Sequence, residues 1–130
     1  MKIIIVGAGK VGYSVAKILS EEGHDITVID RDPETITHLS NELDVICVEG
    51  SATNHETLLG AGAAEADLLM AATQQDEVNM VCGITARKLG TKHVIARIRD
   101  TEYLRQTEFL REVLGLSITI NPEYECAKEI

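Results

Sequence analysis

Six consecutive residues, Gly7-Ala8-Gly9-Lys10-Val11-Gly12, constrain this chain more than any other stretch. They stand between a strand-like run, Lys2 to Val6, and a helix-like run, Val11 to Glu22. A strand that turns at once into a helix packed on it needs glycine at particular places. Gly7 permits the tight turn. Gly9 has no Cβ, so a diphosphate can approach the backbone. Gly12 lets the helix lie close to the strand. The N–H groups and partial positive charge of the helix start then face an anion. This is the dinucleotide-binding fingerprint in its expected setting. A glycine-rich turn that only tightens a strand–helix unit is the alternative.

The rest of the chain narrows the class. A length of 130 residues suits one domain with a real core. No apolar run approaches the roughly 20 residues of a membrane span, and Ile3 to Val6 runs straight into glycines rather than forming a signal peptide. A cytoplasmic protein with no direct membrane insertion is expected. The formal net charge of −9 and the absence of Trp argue against nucleic acid as a partner, since neither basic patches nor stacking platforms are present. Cys47, Cys82 and Cys126 form no CxxC pair; Cys47 and Cys82 read as small core residues. His24, His38, His55 and His93 lie apart, without metal-ligand spacing, so no metal site is expected.

Strand and helix signals alternate. Strands are expected at Lys2–Val6, Asp25–Ile29, Val45–Val48, Asp67–Ala72, His93–Ile98 and Leu116–Ile120. The first helix carries Val11, Val15, Ile18 and Leu19 on one face and ends at Gly23. Asp32-Pro33 reads as an N-cap and N1 proline for a helix burying Ile36, Leu39 and Leu43. Thr53-Asn54-His55-Glu56 fits a capping box, with Leu58 and Leu59 as core contacts. Thr73 and Asp76 fit another cap, ahead of a stripe of Val78, Val81, Cys82 and Leu89. Asp100 caps a helix reaching about Leu114, and Asn121-Pro122 starts a last helix from Glu123. Apolar strands alternating with helices imply an α/β fold: a Rossmann-type, doubly wound parallel sheet of order 3-2-1-4-5-6, covered on both faces. That last helix has barely begun when the sequence stops, so residues 1–130 are read as a single nucleotide-binding domain, the first of a longer chain or one that docks its end on the sheet or a partner.

Ligand residues follow from the fold, because the crevice of such a sheet lies at the carboxyl ends of its strands. Asp30, about 20 residues past the glycines, can accept both hydroxyls of an adenosine ribose and would repel a 2′-phosphate; a strand-end turn is its other reading. Arg31 can stack on adenine. Ser51 and Ala52 are small enough to admit it. Thr73, with Gln74 beside it, can cap its helix or donate to a phosphate. Arg97 can pair with a diphosphate or with Asp76 or Glu77. Lys10 can reach a phosphate or simply be exposed. No His, Lys or Tyr follows the fourth or fifth strand in a catalytic setting, so no catalytic residue is assigned.

The succession GAGKVG, ITVID, GSAT, ADLLMAATQQDEVNM and IARIRDTEY resembles the N-terminal nucleotide-binding domain of the Trk/Ktr potassium-transport regulators, also called the RCK N-lobe. The likeness runs from Met1 to about Pro122. Its specific parts are Thr73 to Asn79 and the IAR at Arg97. The resemblance implies a regulatory subunit rather than an enzyme, binding NAD or NADH, or ATP or ADP, through Gly7 to Gly12, Asp30, Ser51-Ala52, Thr73-Gln74 and Arg97. It also implies a homodimer, often within a ring, joined partly through the region after the sixth strand. The partner it implies is a potassium transporter or channel subunit at the inner face of the membrane. The family commonly has Gly-Asp-Ala-Thr where this chain has Gly50-Ser51-Ala52-Thr53, which loosens contacts on that side of the adenosine. Two other classes use similar glycine turns. An NAD-dependent dehydrogenase would need a substrate domain and a base near the nicotinamide. An S-adenosylmethionine-dependent methyltransferase would need a reversed strand after the fifth helix, where a helix cap follows Leu116–Ile120 at once.

Overall fold

Alternate residues of Lys2–Val6 point to opposite sides of the strand, and four of its five residues are buried, so both sides are covered. The computed structural model describes residues 1–122; the expected helix from Glu123 and Cys126 lie outside the described residues. Strands β1 (Lys2–Val6), β2 (Asp25–Asp30), β3 (Ile46–Glu49), β4 (Leu68–Ala71), β5 (His93–Arg97) and β6 (Ser117–Thr119) form one sheet of order β3-β2-β1-β4-β5-β6. Every neighbouring pair is parallel. The doubly wound sheet read from the sequence is therefore the fold.

Helices α1 (Lys10–Glu21), α2 (Pro33–Glu42), α3 (His55–Gly60), α4 (Asp76–Leu89), α5 (Thr101–Leu104) and α6 (Thr107–Leu114) connect the strands. Ile3 and Ile5 enter a core layer with Val15 and Leu19 of α1 and Leu39 of α2. Ile4 and Val6 enter the other, with Leu58 of α3 and Cys82 and Ala86 of α4. Burial pushes the Cys82 thiol up to about 12, so it remains a protonated core group. No helix among the described residues is long and apolar enough to cross a membrane.

The structure departs from the sequence reading in its packing details. Ile18, Leu59 and Val81 are exposed by 46%, 46% and 45%, although each was expected inside. The buried residues of α1 are Gly12, Val15, Ala16 and Leu19, and those of α4 include Asn79, Cys82, Gly83 and Ala86. Both helices lie so close to the sheet that small residues take the inner positions. A Cβ on Gly83 would come within 3.0 Å of Val94. Cys47 is half-buried because β3 is an edge strand. The expected helix from Asp100 to Leu114 is two helices. Thr107 donates its hydroxyl to the Leu104 carbonyl (2.8 Å) and Gln106 its amide to Tyr103 (3.1 Å), breaking the run without Gly or Pro. The cap of α3 is Asn54, which accepts from the Glu56 amide, one residue later than the expected Thr53.

Candidate functional site

Strand order reverses between β1 and β4: the chain moves outward to β3 on one side, then to β6 on the other. The loops at the carboxyl ends part there. A cleft of roughly 640 Å³ opens at that point, walled by the glycine turn and the ends of β2, β3, β4 and β5.

The glycine turn is built from within. Gly7 has φ +91, its amide donates to Ile29 (2.8 Å), and a Cβ there would sit 3.1 Å from Thr73. A Cβ on Gly12 would come 1.7 Å from the Gly7 carbonyl oxygen. Gly9 differs: its φ is −70 and a Cβ would meet nothing within 4 Å, so neither conformation nor internal packing requires glycine. It faces the cleft. As the N-cap of α1 it supplies no side-chain hydrogen bond, and the first turn of α1 carries no acid. By contrast α2, α3 and α5 are capped by Asp32, Asn54 and Asp100. The α1 terminus is left without the usual internal anion.

Asp30 fixes this turn from β2. Its Oδ2 accepts from the Ala8 amide (2.7 Å) and its Oδ1 from the Asp32 amide (2.9 Å). Its remaining lone pairs can accept ribose hydroxyls. Ala8 and Gly12 lie behind the cleft wall, one feeding Asp30 and the other seating α1. Gly7, Gly9, Lys10, Val11, Asp30, Arg31, Ser51, Ala52, Thr73, Gln74 and Arg97 are all on the wall. The Ser51 and Thr53 hydroxyls bond at 2.9 Å beside the buried Ala52.

Neither β4 nor β5 ends as a simple cap reading suggests. The N-cap of α4 is Gln75, and it makes no side-chain cap bond. Asp76 accepts instead from the amides of Arg99 (3.1 Å) and Asp100 (2.7 Å), strapping the start of α4 to the loop after β5. The Arg99 guanidinium donates to the Gln74 carbonyl (2.8 Å), and Tyr103 donates to Glu77 (2.8 Å). The acids proposed as partners for Arg97 are thus engaged elsewhere, and no ion pair joins them to Arg97 among the described residues. The Arg97 Nε is buried without a hydrogen-bond partner, the one such side-chain atom among the described residues. Burial, then the nearby Arg99, lowers the pKa of this guanidinium, and Asp76 opposes them. A buried donor left unpaired costs about 1–3 kcal/mol. The wall carries Lys10, Arg31 and Arg97 against Asp30 and Asp32, a cationic excess within a chain of net charge −9.

Thr35, Thr53, Gln75 and Val78 also line the cleft, beyond those read from the sequence, as does Gly50, which the strand-end rule picks out after β3. Gln75 sits next to a named residue and follows from the same rule. Thr35 lies on the first turn of α2 and carries no local signal. Asn79 was read only as part of a motif; it is wholly buried and bonds to both Thr73 and Arg97.

Comparison with known proteins matches the chain to a family. The Archaeoglobus fulgidus protein named Trk system potassium uptake protein TrkA homolog is 39% identical over 99% of this chain and 29% of its own length. The Haemophilus influenzae Trk system potassium uptake protein TrkA is 41% identical over 100% of this chain and 29% of its own. The chain therefore spans 29% of the length of these relatives. Among solved structures, the TrkA-N domain of the Escherichia coli inner membrane protein ybaL superposes with TM-score 0.80 at 22% identity, over 98% of this chain and 92% of that one. The GsuK channel bound to NAD superposes with TM-score 0.78 at 23% identity, over 92% and 21%. GsuK bound to ADP gives 0.76 at 24%, over 91% and 30%. At such identities these likenesses show the shared fold. The model of the TrkA-N domain matches residues 3–122, and the chain belongs to that family.

Proposed function

We propose that this chain is the nucleotide-sensing domain of a potassium-uptake regulator, a binding module rather than an enzyme. The observation that carries the binding reading is the uncapped α1 terminus and the open space at Gly9 on the same cleft as Arg97, whose buried Nε has no hydrogen-bond partner. An anion of the size of a diphosphate answers the terminus and the open space, and the Arg97 guanidinium supplies positive charge beside them. Lysine and the two aspartates are the wall's only candidate proton carriers; His, Cys and Tyr are absent from it among the described residues. The potassium link rests on the relatives' names.

The fitting ligands are NAD, NADH, ADP and ATP, which share an adenosine diphosphate part. GsuK structures with NAD and with ADP support both kinds. The first turn of α1 and Arg97 hold the phosphates, Asp30 the ribose, and the Ser51–Ala52 turn the base. Lys10 and Arg31 add positive charge at the mouth. Two nucleotide states that contact the cleft differently favour different packings between copies of the chain, and this biases a membrane transporter or channel subunit. Differential affinity sets the limit on that shift. The working form is a homodimer, or a ring of dimers, on the cytoplasmic face of the membrane.

A thermal-unfolding panel of NAD, NADH, ATP, ADP and S-adenosylmethionine tests the binding reading. A ligand at 100 times its Kd adds about 2.7 kcal/mol, a rise of about 10 °C for a domain of this size. At least one of the first four is expected to give it, S-adenosylmethionine is not, and no hydride transfer from common alcohols or hydroxy acids accompanies it. No shift with any of the four overturns the reading.

A further inference from the structure

We infer that Asn79, which lies behind the cleft wall, is a positioning residue that sets the gap between the glycine turn and Arg97. This rests on the nucleotide-binding reading above.

Asn79 is 0% exposed. Its amide has two donors and two acceptor lone pairs, and all are used. Its Oδ1 accepts from the Thr73 amide (2.9 Å) and the Thr73 hydroxyl (2.7 Å). Its Nδ2 donates to the Thr73 carbonyl (3.1 Å) and to the Arg97 carbonyl (2.8 Å). The ladder between β4 and β5 ends at Ala71 with Ala96. Past that point the two backbones separate, and one side chain from α4 rejoins them.

Each partner of Asn79 stands on a different wall. Thr73 backs the glycine turn: its N, Cα and Cγ2 lie 3.1 Å from where a Cβ on Gly7 would be. Arg97 lines the cleft and carries the buried, unpartnered Nε. Fixing Thr73 and the Arg97 carbonyl to one rigid amide therefore fixes how far the Arg97 backbone stands from the glycine turn. The Thr73 hydroxyl proton points to Asn79 or, at 3.2 Å, to the Gln75 carbonyl. Thr73 thus acts as a buttress, and Arg97 is the phosphate donor of this wall.

The test uses this 130-residue chain and two probes, ADP and adenosine, which differ only in the diphosphate. Their affinity ratio isolates the phosphate contacts. Asn79→Asp keeps the acceptor for the Thr73 amide but removes both Nδ2 donors and sets a carboxylate against two carbonyls. It is expected to weaken ADP by roughly tenfold or more, the scale of a lost charge-assisted hydrogen bond, while adenosine stays within about twofold. Asn79→Ala adds no charge and is read the same way should the Asp variant fail to fold. Leu68→Ala truncates the core at the far end of β4; it is expected to lower the melting temperature and keep the ratio. The ¹⁵N resonance of the Arg97 Nε is expected to move on ADP addition in the parent chain and to stay put in both Asn79 variants. If the parent chain binds ADP more tightly than adenosine and the Asn79 variants keep that ratio, the inference is wrong. If the parent chain binds neither probe, the binding reading itself fails.

Discussion

Gly9 and Gly12 are three positions apart and lack a Cβ for opposite reasons. At Gly12 a methyl group would meet the Gly7 carbonyl at 1.7 Å, inside any van der Waals limit, so α1 must shift off the sheet. Gly12→Ala is expected to destabilise the chain by about 2–3 kcal/mol or more, read as a lower denaturation midpoint. At Gly9 the φ of −70 suits any residue and the space is empty. Gly9→Ala is expected to unfold at the parent's temperature or slightly above it, yet to lose ADP affinity by roughly tenfold. A Gly9→Ala chain that keeps its ADP affinity would show that the open space is not the phosphate seat. The sequence motif already gives the two glycines separate duties, ligand approach at Gly9 and helix packing at Gly12; what it cannot give is the distance from each missing Cβ to its surroundings. Arg97 is similar. Its place at a strand end was legible; that its Nε is buried and unpaired was not, because the fates of Asp76 and Glu77 depend on a loop distant in sequence.

At the scale of elements, the six strands were readable because apolar runs bounded by Gly, Asp and Asn are strong local signals. What failed was the choice of inner face. Hydrophobic periodicity selects large residues, whereas a helix lying close to a sheet selects small ones, so Ile18 and Val81 were put inside and Ala16 and Gly83 overlooked. The break between α5 and α6 was hidden for a related reason: a Thr hydroxyl bonding back to a carbonyl leaves no compositional mark. The strap at Asp76 was mistaken for a cap because both use an acid at the start of a helix. It joins α4 to the loop before α5 through two amides. Asp76→Ala is expected to lower stability by about 1–3 kcal/mol, and amide hydrogen exchange at Arg99 and Asp100 to speed up more than at the β4 amides. Equal acceleration everywhere would mean that Asp76 supports the whole core rather than this joint.

For the molecule as a whole, the order β3-β2-β1-β4-β5-β6 puts the cleft where the walls from β1 and β4 diverge, and this followed from strand alternation and the glycine turn together. Charge works at two ranges. Far away, a chain of net −9 repels an anionic nucleotide; at the wall, three cations face two carboxylates. Salt screens the first range more than the second, since the Debye length is about 10 Å at 0.1 M. The association rate of ADP is therefore expected to rise with ionic strength in stopped-flow measurements, opposite to the trend for a nucleic-acid binder. A rate that falls with salt would mean the cleft's cations dominate even at a distance. The strap has a consequence at this scale too. Gln74 on the cleft wall and Tyr103 on α5 belong to segments tied together by Asp76, Arg99 and Glu77. Any protein that leans on α5 leans on the cleft as well. Reciprocity then binds the two events: the factor by which such a partner alters nucleotide affinity is the factor by which the nucleotide alters the hold on the partner.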